Sequence, residues 1–143
     1  MKTKTFLLLC LFLGIGLTQL SAQNDNSWGT KSVQGWFQGT YYSPVYCGDE
    51  MVDYLEGGWL RVHYVAHYKN GKFIWETDQL KGEVTSVTGE VFKVIEIDKT
   101  YFTDHWYVTW KFSLMGNWGS HYVGSFTYSY WTGETIPGKA ICN

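Results

Sequence analysis

Histidines, carboxylates and tryptophans are the side chains in this sequence with chemistry to offer. His63 and Asp78 fall opposite each other if Asn70-Gly71 is a two-residue hairpin turn, with Arg61 and His67 on the same face. A histidine oriented by a carboxylate is the arrangement of a general base. With no nucleophile beside it, the same pair is a solvated surface pair worth under about 1 kcal/mol. His63 and His67 cannot chelate one metal alone, because four strand residues span about 13 Å, and His105 and His121 would meet only through tertiary structure. The expectation is therefore no metal and no cofactor. Glu50, Glu83 and Glu90 invite the paired carboxylates of glycoside hydrolysis. Glu50 and Glu90 each sit at a turn entering a strand, where acids are commonplace. No serine nucleophile elbow, phosphate loop or zinc-protease motif is present, and no catalytic residue is assigned.

Aromatic residues make up 19% of the chain, more than solvent-facing strands require. Trp75, Trp106 and Trp110 lie on apolar strand faces and read as core. Trp28, Trp36, Trp59 and Trp118 lie at strand starts, turns or lead-ins, where a large ring is harder to bury. There a ring stacks on a sugar, caps an apolar pocket, or plugs the end of a barrel. These four are the candidate ligand-binding residues.

The elements that must position them are strands. Asn-Gly between alternating apolar runs is the strongest short-range hairpin signal, since both residues accept the positive φ of a type I′ turn. A strict ladder from Lys69 opposite Lys72 sets Ala66 against Trp75, Tyr64 against Thr77 and His63 against Asp78. Val33–Tyr42 alternates as a first strand ended by Ser43-Pro44. Met51–Glu56 is a second, broken from the hairpin at Gly57-Gly58. Lys81-Gly82 and Thr88-Gly89 bracket a short strand, Glu83–Val87. Val91, Ile95 and Ile97 then share one face of the next strand, with Phe92 and Val94 on the other. Thr103–Leu114 and Ser120–Trp131 flank a turn at Gly116–Gly119, and a short last strand ends at Cys142. The expectation is an all-β antiparallel meander of eight or nine strands, closed as a small barrel or split into a two-sheet sandwich.

Residues 1–22 read as a secretory signal peptide: Lys2 and Lys4, an apolar run from Phe6 to Leu17, and a small-residue exit at Leu20-Ser21-Ala22. Residues 23–32 form a polar lead-in and 33–143 a single domain. Removing Lys2 and Lys4 from the 11 basic residues leaves nine against 13 acidic. A chain of that balance, with no basic run, has no long-range attraction for nucleic acid, and nothing in it reads as a membrane span. Cleavage also removes Cys10. The remaining Cys47 and Cys142 read as one disulfide in an oxidising compartment, periplasmic or extracellular.

The Cys47-Gly48-Asp49-Glu50 turn, the Lys69-Asn70-Gly71-Lys72 hairpin, Thr88-Gly89-Glu90-Val91-Phe92 and the terminal cysteine resemble a loose group of small exported bacterial β-proteins. In that group a Cys-x-Gly-Glu-like turn precedes the hairpin and a Thr-Gly-x-x-aromatic segment follows it. The similarity runs from about Val45 to Cys142, and it implies export, an all-β fold and a disulfide, with no assigned activity. Two functional expectations follow. One is a non-catalytic exported module that binds a small apolar ligand, a glycan or a protein partner. The alternative is a hydrolase acting on a glycan or envelope component.

Overall fold

The computed structural model describes residues 29–48, 50–102 and 105–143. The expected leader at 1–22, most of the expected lead-in and Trp28 lie outside them. Seven strands follow one another: β1 (Thr30–Cys47), β2 (Glu50–Lys69), β3 (Lys72–Ser86), β4 (Val91–Tyr101), β5 (Tyr107–Gly116), β6 (His121–Ser129) and β7 (Thr135–Cys142). They form one antiparallel meander sheet in sequence order, not a closed barrel and not a two-sheet sandwich.

The strand count is seven rather than eight or nine because glycines expected to break strands are instead absorbed by them. Gly57 has φ +79°, and the β2–β3 register shifts between Leu55 and Gly58, so the pair is a bulge inside one long strand. A Cβ on Gly58 would lie 2.8 Å from Val84 Cα, so the backbone of β3 passes too close for a side chain. Lys81-Gly82 likewise stays in the ladder, with Gly82 opposite Leu60. Pro44 does not end β1. It pairs with Tyr54, a position an edge strand tolerates despite the missing N–H.

The hairpin turn forms at Asn70 (φ 53°) and Gly71 (φ 74°), with Lys69 opposite Lys72 and Tyr68 opposite Phe73. The next pair is His67 with Trp75. Ile74 is therefore an extra residue, and every β3 residue beyond it exchanges faces relative to a strict ladder. His63 is opposite Gln79, and Asp78 is opposite Tyr64. The expected His63–Asp78 pair does not form.

Two links show that the sheet is rolled. The Tyr41 hydroxyl of β1 donates a hydrogen bond to Glu96 of β4, three strands away. Cys47 and Cys142 are bonded, joining the two edge strands at one end with a Cα–Cα distance of 6.0 Å. Toward that stapled end the concave face holds the core: Val45, Leu55, Leu60, Val62, Leu80, Val84, Phe92, Val94 and Leu114, with Tyr41, Phe112 and Tyr122 against it. Complete burial of a side chain such as Leu55 or Phe92 stabilises by about 1.5–3 kcal/mol.

Candidate functional site

The bulge at Ile74 decides what the concave face carries beyond its core. With β3 shifted by one residue, Glu76 and Asp78 turn inward beside Thr100 and Asp98 of β4, and Leu80 pairs with Glu96. Four carboxyls thus share one face on two adjacent strands. Asp78 and Asp98 are direct cross-strand partners, a like-charge opposition that destabilises a sheet when both are ionised. The same row continues to Trp110 and Phe126, whose rings stack at 4.5 Å.

Burial raises all four carboxyls. Asp78 is pushed up to about 7, by desolvation first and then by the charge of Glu76. Asp98 is pushed up to about 9, by desolvation and then by the charge and hydrogen bond of Glu96, with Asp78 adding to it. Desolvation also raises Glu76. It raises Glu96 too, against the hydrogen bonds of Tyr41 and Asp98. The Tyr41 hydroxyl is held well above its usual value by burial and then by Glu96. A protonated carboxyl donates as well as accepts hydrogen bonds, so at neutral pH this row can do both. Asp98 Oδ1 is buried and has no hydrogen-bond partner among the described residues, the kind of group that calls for a functional explanation.

Toward the open end, away from the disulfide, the same face is rimmed by rings. Tyr68 stacks on Phe73 at 5.0 Å, Phe73 on Phe102 at 4.3 Å, and Phe102 meets Trp106 edge-on at 4.8 Å. The Tyr130 N–H donates to the Trp106 carbonyl at 2.9 Å, which brings β6 into the rim. Trp106 and Tyr130 are 52% and 56% exposed. Trp106 is therefore not core as expected, because it precedes β5 at the mouth of the roll, beyond the last row that packs over it.

The four tryptophans singled out by sequence are not gathered into one place. Trp28 lies outside the described residues. Trp36 is on the convex face, stacked on His63 at 4.2 Å with the Arg61 guanidinium 4.0 Å from its ring centre. Trp59 is also convex, opposite Thr40 and Glu83. Trp118 sits in the β5–β6 turn against Gly89. All three are exposed. Trp75 too is convex rather than core, stacked on His67 with the Lys99 ammonium over its ring. Upright rings stacked on neighbours across strands present edges to solvent and strengthen the sheet.

The glutamates considered for hydrolysis are placed elsewhere. Glu50 is exposed at the start of β2 opposite Cys47. Glu90 is buried, and its Oε1 accepts hydrogen bonds from the backbone N–H groups of Trp118 (2.9 Å) and Ser120 (3.3 Å). It ties the β3–β4 turn to the β5–β6 turn. Glu90→Ala is expected to cost about 1–3 kcal/mol by leaving those donors unpaired, whereas Glu90→Gln, which keeps an acceptor, costs less. Chemical denaturation of both variants checks this, and equal losses would show that the acceptor is not what matters.

Among the described residues no group of three or more His, Cys, Asp or Glu is arranged to hold a metal, and no helix is long and apolar enough to cross a membrane. The sequence did hold one sign of the acidic row: Phe92, Val94, Glu96 and Asp98 alternate on one strand face, apolar at one end and acidic at the other. Compared with protein-family models, with curated proteins and with solved structures, the chain matches none.

Proposed function

We propose that this protein is an exported, non-catalytic module that binds a glycan on the open half of its concave face. A sugar ring offers C–H faces to aromatic rings and hydroxyls to carboxyls, and this half-face has both: the Tyr68–Phe73–Phe102–Trp106 rim, and Asp78 and Asp98 beside Trp110. The observation that carries the reading is the pairing of Asp78 with Asp98 in one row with the Trp110–Phe126 ring stack, which sets carboxyls for sugar hydroxyls beside a ring face. The signal-like leader and the Cys47–Cys142 bond favour a periplasmic or extracellular location.

The test is a glycan screen by intrinsic tryptophan fluorescence. Trp106→Ala and Asp98→Ala should each weaken the best ligand about tenfold, the loss of one well-placed contact. Trp59→Ala and Trp118→Ala should leave it within about twofold. The reverse pattern would move the site to the exposed tryptophans of the convex face and turn.

A second reading rests on the Asp78–Asp98 opposition. Two carboxyls whose environments hold them at different pKa values are what acid–base hydrolysis of a glycosidic bond uses. Turnover of a glycoside panel, abolished by Asp78→Asn or by Asp98→Asn, would establish that reading over simple binding.

A further inference from the structure

Strand alternation sorts the charges of this acidic chain onto opposite faces. The convex rows carry Arg61, Lys81, Lys93, Lys99, Lys111 and Lys139 against Glu56 and Glu83, while Glu76, Asp78, Glu96 and Asp98 turn inward. Arg61 and Lys81 are direct cross-strand partners, so the local balance is positive and attracts anions. The net charge of the chain conceals this.

On that face lies a groove of about 320 Å³ spanning β4 to β7, with Ile95, Ile97 and Val123 as apolar lining and Lys111 and Lys139 as its charged groups. None of its nine lining residues is acidic. A bulge in β7 builds one side of it. Gly124 pairs with Ala140 and Phe126 with Pro137, leaving Gly138 and Lys139 opposite Ser125 alone. The Lys139 N–H donates to Ser125 Oγ at 3.2 Å, and a Cβ on Gly138 would lie 2.8 Å from the Ser125 carbonyl oxygen. The close approach draws this part of the edge strand onto β6 and sets Lys139 at the groove. Bulges re-aim side chains in this way beside binding sites.

We propose that this groove binds a single-chain amphiphile with an anionic head, a long-chain carboxylate, its head taken by Lys111 and Lys139 and its chain laid over Ile95, Ile97 and Val123. The groove is shallow and open to solvent, so one side of the bound chain stays in water and the lysines fix its head. The apolar lining selects against a fully hydrated polyanion, and two lysines without a neighbouring carboxylate select against a neutral or cationic lipid.

Titration calorimetry with dodecanoate below its micelle-forming concentration tests this. Saturable binding is expected, weakened at least about tenfold by the Lys111→Gln/Lys139→Gln double variant and by Ile97→Glu. Lys93→Gln, on the same face outside the groove, and Trp106→Ala, on the concave rim, should leave it within about twofold. The Trp106 variant separates failure here from failure of the glycan reading. Dodecanol binding as tightly as dodecanoate, an equal loss in Lys93→Gln, adhesion only to anionic vesicles, or no binding at all would each overturn the proposal.

Discussion

Replacing Cys47 and Cys142 with serine, or reducing the bond, is expected to remove about 4 kcal/mol of stability. The bond joins residues 95 apart in sequence, and in the chain-entropy picture a loop of that size constrains the unfolded chain by about 4–5 kcal/mol. Its position makes the loss matter. The bond joins the two edge strands of a sheet that is not closed into a barrel. Against a typical total of about 5–15 kcal/mol, the reduced protein should unfold at a much lower denaturant concentration. A shift worth less than about 1 kcal/mol would show that the rolled sheet holds its edges without the staple.

The second large effect is on pH. The folded state holds protons on Asp78 and Asp98 up to about pH 7 and about pH 9, whereas the unfolded chain releases them near 3.8. Between those limits the native state binds more protons than the unfolded state, so stability falls as pH rises. The loss begins near pH 4 and ends near pH 7 for Asp78 and near pH 9 for Asp98. Each retained proton contributes a slope of up to about 1.4 kcal/mol per pH unit. Thermal unfolding should therefore occur at a higher temperature at pH 5 than at pH 8. Asp98→Asn should flatten that dependence and unfold about 5 °C or more above the parent at pH 8. A melting temperature that does not change from pH 5 to pH 8 would show that these carboxyls are ionised in the folded protein.

The parts of the fold that local chemistry dictates were readable from the residues. Asn70-Gly71 accepts the two positive φ values of a tight turn, the alternation from Trp106 to Leu114 marks a strand, and Cys47 pairs with Cys142. The errors came from two features with weak local signatures. A glycine pair breaks a strand or bulges within it depending on what lies across the ladder, and for Gly58 that is the backbone of Val84. The extra residue at Ile74 is apolar like its neighbours, yet it moved Asp78 from the convex to the concave face. The acidic row followed from that move. Asp78 and Asp98 are 20 residues apart; a strict ladder pairs Asp78 with His63, Asp98 is one polar position in an alternating strand, and only the β3–β4 pairing sets the two opposite each other. Charge segregation is hidden in the sequence for the same reason, since a net charge carries no information about faces.

Where a bound glycan sits tests the central claim most directly. Titration of the ¹⁵N-labelled protein with the best glycan from the screen, followed at the tryptophan indole N–H resonances, gives the position. The concave-face account requires the Trp106 and Trp110 signals to shift with saturation while those of Trp36, Trp59 and Trp118 stay in place. Shifts confined to Trp36, Trp59 or Trp118 would contradict it.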